Sequence, residues 1–392
     1  MRIMYIGAFR MPNLDAAAAR VTNVARALRM AGHEISFISW GGIQREEDLT
    51  AEGLYEIDGF PYVVTDELGF TGGTLSKIKG WLSRGNKTKK ILEKEKCNFD
   101  AIITYNCSLL RWLLSFCREN KKFLICDLTE WYDNNEQRLV EKPGYYVKMN
   151  FIQPRIKNKI VISSYLDGYY NTSHNVIVPA MCDITENKWH KDVNVARSKV
   201  GDYDGITLIY AGNPARKDAV HYVIGAVQKL IKEGAKLRFL IIGITRDKYV
   251  EKYRDLLPVE ELSDKIMFLG RVSQDDVPMY YRISDFMVLL REPNRKSQAG
   301  FPTKFSESFI SGTPVIANIT SDLGRYLKDG VTGFVVSEPN QESIYLTLKN
   351  RVLLMGREDI DKMKRNVNDN SKKLDYRYFV SLLSNFIDKL EQ

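Results

Sequence analysis

No stretch of the chain approaches the roughly 18 consecutive apolar residues needed to cross a bilayer, so any contact with a membrane is made from its surface. The opening run, Met1 to Gly7, has strand length and no cleavage-site pattern, so it does not read as a secretory leader. Cysteine is scarce: the five present (Cys97, Cys107, Cys117, Cys126, Cys182) are odd in number and none is spaced C-x-x-C. That argues against a disulfide framework or a zinc site and points to a reducing cytoplasm. Neither a Walker loop nor G-x-G-x-x-G occurs, so ATPase and dehydrogenase readings lose their main support. The net charge is +8, but no helix-turn-helix, RNA-recognition or zinc-finger signature accompanies it, and nucleic acid is not expected as a partner.

What is present is the composition of a globular protein, in 392 residues, too many for one ordinary core. The basic charge is uneven. Residues 77–96 carry eight Lys or Arg against two Glu, interleaved with Ile78, Trp81, Leu82, Ile91 and Leu92. That pattern suits a segment lying on anionic lipid, and equally a solvated basic helix. Residues 142–160 repeat it more weakly, with Lys142, Lys148, Arg155, Lys157 and Lys159 among Tyr145, Tyr146, Met149 and Phe151.

Arg2–Ile6 reads as a strand ending at Gly7, followed by a loop to Asp15, a helix with Val21, Val24, Ala25 and Leu28 on one face, and a strand from Glu34 to Trp40. Strand, helix and strand within about forty residues make a βαβ unit, so the sheet is expected to be parallel. Strands at 101–104, 123–126 and 159–162 continue the alternation. Asp127 and Glu130 follow the second of these at its carboxyl end, where ligands gather in open α/β sheets; Asp127 could equally cap the next helix. A short strand at 175–179 precedes a polar, irregular stretch, 181–200, that is expected to hold the domain boundary.

A second alternation begins at Ile206–Gly212. Gly212 and Asn213 leave the strand, Arg216 and Lys217 follow, and a helix is expected over 219–232, which together make a plausible diphosphate cradle. Further strands are expected at 237–243, 265–271, 286–290 and 330–336, and helices near 340–354, 358–372 and 376–390. Residues 299–317 read as a loop, a short helix and a buried strand: Gly300 and Pro302 punctuate the loop, and Thr303 can cap the helix. Lys304 and Glu307 then share a helix face, either as a ligand cradle or as a surface pair worth about 0.3–0.5 kcal/mol.

Six segments together resemble retaining, family-4-like glycosyltransferases of the GT-B fold over nearly the whole chain. They are Ala31–Ile35, Val161–Leu166, Ile177–Asp183, Ala211–Asp218, Gly270–Arg271 and Glu307–Ala317. The resemblance implies an α/β fold of two doubly wound, Rossmann-like domains facing across a cleft: 1–180 on the acceptor side, 181–373 binding a nucleotide sugar, and a helix at 374–392 packing back on the first domain. It implies sugar transfer with retention from a nucleoside-diphosphate sugar to a saccharide or lipid-linked acceptor, without a metal or other cofactor, in bacterial surface polysaccharide or glycolipid synthesis. The expected location is the cytoplasm, at the inner face of the cell membrane if 77–96 docks there.

By the same resemblance Lys217, Arg216 and Glu307 serve the chemistry, the cations at the donor diphosphate and Glu307 at the ribose hydroxyls. Gly212, Asn213, Arg271, Gly300, Phe301, Pro302, Thr303 and Lys304 contact the donor, and Arg20, Asp127 and Glu130 line the acceptor side. Three positions depart from the family pattern: Ala299 stands where a second Glu is common, Ala16–Arg20 replaces a glycine pair, and the Asp127–Glu130 segment replaces a histidine. The alternatives are a nucleotide-sugar 2-epimerase of the same fold, or a sugar-nucleotide-binding protein without catalysis.

Overall fold

The computed structural model describes residues 1–12, 14–68, 83–131, 142–214, 218–253, 256 and 262–390. The chain divides into two compact units, Met1–Cys182 together with Tyr376–Gln392, and Asp183–Asp375.

The first unit runs β1 (Arg2–Met11), α1 (Ala16–Met30), β2 (Glu34–Gly42), β3 (Glu56–Ile57), β4 (Phe60–Val64), α2 (Asn86–Glu95), β5 (Ala101–Tyr105), α3 (Leu110–Glu119), β6 (Phe123–Leu128), α4 (Lys142–Val147), β7 (Asn158–Val161), α5 (Ser164–Tyr170) and β8 (His174–Ile177). Its sheet has the order β3-β4-β2-β1-β5-β6-β7-β8 and is parallel except for the β3–β4 hairpin. Asp15 starts α1 by accepting from the Ala18 N–H at 2.8 Å, and Gly32, at φ +90°, turns the chain out of it. Val21, Val24, Ala25 and Leu28 are buried against the sheet.

The second unit runs α6 (Asn194–Val200), β9 (Ile206–Ala211), α7 (Val220–Lys232), β10 (Leu237–Ile242), α8 (Arg246–Tyr253), β11 (Ile266–Gly270), α9 (Val277–Ile283), β12 (Phe286–Leu289), α10 (Arg295–Ala299), α11 (Thr303–Ile310), β13 (Val315–Ala317), β14 (Gly333–Val335), α12 (Gln341–Thr347) and α13 (Arg357–Ser371). Its sheet, in the order β11-β10-β9-β12-β13-β14, is parallel throughout. Every residue of β9 and β10 is buried, as a sheet covered on both faces requires. The strand order reverses between β9 and β12, which is where such sheets open a crevice at their carboxyl ends.

The chain then returns to the first unit, where α14 (Val380–Ile387) joins the core around Ile3, Val24 and Tyr5 through Leu383, Phe386 and Ile387. The His174 ring stacks on Phe386 with centroids 4.4 Å apart.

Several local expectations are corrected. The 376–390 helix begins instead as a 3-10 turn at Tyr376–Phe379, and Leu382 faces solvent. The 181–200 stretch is not irregular throughout, since it carries a 3-10 turn at Asn187–Trp189 and α6. The 330–336 strand shortens to Gly333–Val335. Of the basic stretch 77–96, residues 77–82 lie outside the described residues, and the remainder contains the whole of α2, with Thr88 and Leu92 buried. In 142–160 two of the basic residues turn inward: Lys148 donates to Asn106 Oδ1 at 3.0 Å, and buried Lys159 donates to Thr172 Oγ1 at 3.0 Å. Burial lowers the Lys159 ammonium to about 8.

Candidate functional site

The strand reversal in the second unit brings three chain segments together. β9 ends at Ala211 and Gly212 follows at φ +130°. A Cβ on Gly212 would lie 2.4 Å from Lys304 Cε, so the glycine admits the lysine stem as well as the turn. Because β12 pairs with β9, Arg291, two residues past β12, arrives beside the segment that follows Gly212. Asn318, just after β13, fixes Arg291 by accepting from its N–H and donating to its carbonyl, both at 2.8 Å.

These elements converge on Asp218, whose side chain is 1% exposed. Its carboxylate accepts from Tyr210 Oη at 2.6 Å, Lys304 Nζ at 3.1 Å and Arg291 Nε at 3.2 Å. Burial pushes this carboxyl up, but Lys304, Arg291 and the tyrosine hydrogen bond outweigh it and hold the group below the usual aspartate range. Burial and the facing carboxylate push the Tyr210 phenol well above its ordinary value, so it remains a donor. The cluster of one carboxylate and two cations carries a surplus positive charge. Among the described residues the Arg291 guanidinium gives only Nε to the protein, which leaves its terminal nitrogens for another acceptor.

The N-terminus of α11 lies next to this cluster in sequence and shares Lys304 with it. Pro302 occupies the cap position and no side chain caps the helix, which corrects the expectation for Thr303: it is the first helical residue and is exposed. Lys304 pairs with Asp218 rather than with Glu307, so the surface-pair alternative is also set aside. Glu307 is half-buried, and desolvation raises its carboxyl above the usual range against the pull of Lys188 and Lys304. A carboxylate that has lost water in this way is prepared to accept hydroxyl donors.

Of the other expected donor residues, Asn213 and Arg271 are exposed, Gly300 is half-buried and Pro302 is buried. Phe301 serves the core, edge-on to Phe305 and Tyr326 at 5.9 and 5.7 Å between centroids. Arg216 and Lys217 lie outside the described residues. Ala299 closes α10 and is fully buried.

In the first unit, Arg20 and Asp127 form a closed pair. Arg20 Nε lies 3.0 Å from each Asp127 oxygen and Nη2 lies 2.7 Å from Oδ1, while Nη1 donates to the carbonyls of Val178 and Pro179 at 3.0 and 3.1 Å. Tyr5 Oη adds a bond to Asp127 at 2.5 Å, and the Asp127 side chain has no exposed surface. Asp127 therefore ties β1, α1 and the chain leaving β8 together and does not cap a helix. Glu130 is exposed at the end of β6, next to Thr129, which donates to Tyr105 Oη at 3.2 Å.

The cluster Tyr210–Asp218–Arg291–Lys304 was not anticipated as a unit. Asp218 and Arg291 are far apart in sequence, and only the β9–β12 pairing joins them.

Residues 195–373 match the family model for glycosyl transferases group 1. The match covers most of the second unit. Among curated proteins, the chain is 25% identical over 138 residues, 35% of its own length and 30% of the relative's, to the alpha-monoglucosyldiacylglycerol synthase of Streptococcus pneumoniae. It is 20% identical over 227 residues, 55% of its own length and 56% of the relative's, to the lipopolysaccharide 1,2-N-acetylglucosaminetransferase of Salmonella typhimurium. The chain thus spans between about a third and just over half of these two relatives' lengths. Among solved structures, Anabaena HepE in complex with UDP-glucose aligns over 100% of both chains with a TM-score of 0.71 at 14% identity. The fold of the two parallel-sheet units is GT-B.

Proposed function

We propose that the protein transfers a sugar, with retention of anomeric configuration, from a nucleoside-diphosphate sugar to an acceptor hydroxyl in the synthesis of a bacterial surface polysaccharide or glycolipid. The observation that carries this reading is the surplus positive charge around Asp218, with two Arg291 nitrogens unspent and the uncapped α11 end beside it. Breaking a bond between a sugar carbon and a diphosphate loads negative charge onto the leaving phosphate. Donors already held in place there stabilise the transition state more than the ground state. Lys304, Arg291 and the Thr303–Phe305 end of α11 fill that role, and Lys217 and Arg216, which precede Asp218 in the sequence, add to it. With this much fixed positive charge, catalysis proceeds without a metal ion.

Glu307, one helical turn beyond Lys304, accepts from the ribose hydroxyls. The acceptor hydroxyl attacks from the face the leaving group departs, so no protein nucleophile is assigned. Exposed Glu130 orients the acceptor, and Arg20 with Asp127 holds the frame behind it. The lipid and lipopolysaccharide products named for the two relatives, and the UDP-glucose bound by HepE, support this substrate class. The protein works in the cytoplasm, at the inner face of the membrane when its acceptor is lipid-linked.

The test is a thermal-shift panel of UDP, GDP and ADP sugars followed by product analysis with the donor that raises Tm. Release of nucleoside diphosphate is expected, reduced at least about tenfold in kcat/KM by Lys217→Ala. Absence of both binding and turnover across the panel would overturn the reading.

A further inference from the structure

A cavity of about 710 Å³ opens in the first unit between α3 and the chain from Val147 to Asn158, at the amino ends of β6 and β7. That is the end of the sheet opposite to the one where Glu130 leaves β6, so the cavity is separate from the acceptor position proposed above.

The charge of its wall has one sign. Arg111, Arg118, Lys121, Lys122, Arg155 and Lys157 line it, and among the described residues no carboxylate does. Arg111, Leu114 and Arg118 fall at i, i+3 and i+7 on α3, so two cations and an apolar residue share one face. Arg111, Arg118 and Lys121 have no ion-pair partner among the described residues. Two other cations are held in place: Lys122 donates to the Phe99 carbonyl at 2.5 Å, and Arg155 donates to the Phe151 carbonyl. Six like charges around one opening repel one another, and an anion bound among them relieves that repulsion.

Apart from Ser115 and Asn158, the rest of the wall is apolar. Leu124, Ile152 and Ile156 contribute to it, and Val147 and Phe151 stand at the cavity 45% and 48% exposed. A small hydrophilic anion would use the cations and leave Val147 and Phe151 in water. An uncharged apolar ligand would do the reverse. An anionic amphiphile satisfies both. We propose that this cavity binds an anionic membrane lipid, its phosphate among Arg111, Arg118 and Lys121 and its first acyl carbons against Val147 and Phe151. The site lies outside the basic stretch 77–96, and the inference does not depend on the donor chemistry.

The experiment is co-sedimentation of the full chain with phosphatidylcholine vesicles, with and without about 30 mol % phosphatidylglycerol. Binding is expected only with the anionic lipid. The triple change Arg111→Gln, Arg118→Gln, Lys121→Gln is expected to weaken it at least about tenfold, and Phe151→Ser about threefold. An equal loss of charge in the second unit, Lys362→Gln, Arg365→Gln, Lys372→Gln, is expected to change it less than about twofold. All the substituted side chains are exposed, and circular dichroism with thermal melts verifies that each variant folds. No binding to anionic vesicles, or equal losses from the two triple changes, would overturn the proposal. So would release of the protein from the vesicles by inorganic phosphate at matched ionic strength, since the cavity would then hold free phosphate rather than lipid.

Discussion

Each unit buries an aspartate beneath a tyrosine from its first sheet strand and an arginine Nε, and the two clusters differ in what they leave over. In the first, one cation meets one carboxylate, and the Arg20 guanidinium is also engaged by the carbonyls of Val178 and Pro179. In the second, two cations share Asp218, the Arg291 and Lys304 side chains are 10% and 18% exposed, and only one nitrogen of the Arg291 guanidinium is engaged among the described residues. The same motif is therefore a closed clamp in one place and, in the proposed function, an open anion receptor in the other. A buried ion pair by itself says little about function; the charge remaining after the pairs are counted says more.

The largest expected effect breaks the clamp. Asp127→Asn leaves the buried Arg20 guanidinium without its carboxylate and should cost about 3–5 kcal/mol of stability, read as a lowered urea midpoint. Nucleoside-diphosphate affinity of the folded fraction should not change.

A smaller effect comes from Glu307, and its sign with pH separates a binding carboxylate from a stabilising one. Burial raises its folded pKa, so the native state holds the proton more tightly than the unfolded chain. That contribution is present at low pH and is lost as pH rises through the folded value. Glu307→Gln should therefore match wild type below the ordinary glutamate range and melt higher above it without ligand. It should also bind nucleoside diphosphate about tenfold more weakly by calorimetry, a loss typical of a hydrogen bond to a charged group. Asp218 behaves in the opposite sense: its depressed pKa adds stability above the ordinary aspartate range that disappears as pH falls through the folded value.

The sequence shows the parts of the second site whose signals are local. Gly212 after an apolar strand, and Pro302 before a helix that ends at Gly312, can each be read within a dozen residues. Asp218 and Arg291 meet only because β12 sits beside β9, and sequence periodicity carries no strand order. Their alignment at the carboxyl ends of two neighbouring strands was the available clue. The i, i+3 reading of Lys304 and Glu307 identified a shared face but not the stronger attraction of a buried carboxylate across the sheet. The β3–β4 hairpin was missed although its turn, Asp58-Gly59, has both residues at positive φ, 51° and 73°, and is a common hairpin signal. Its strands are only two and five residues long, too short for alternation to stand out.

The distinction between clamp and receptor is tested most directly by calorimetric titration of wild type, Lys304→Ala and Asp127→Asn with the nucleoside diphosphate that the panel selects. Lys304→Ala removes surplus charge while Arg291 still covers Asp218, so affinity should fall at least about tenfold, roughly 1.4 kcal/mol, with little change in Tm. Asp127→Asn should leave the affinity of the folded protein within about twofold. Unchanged affinity in Lys304→Ala, or an equal loss in Asp127→Asn, would contradict the account.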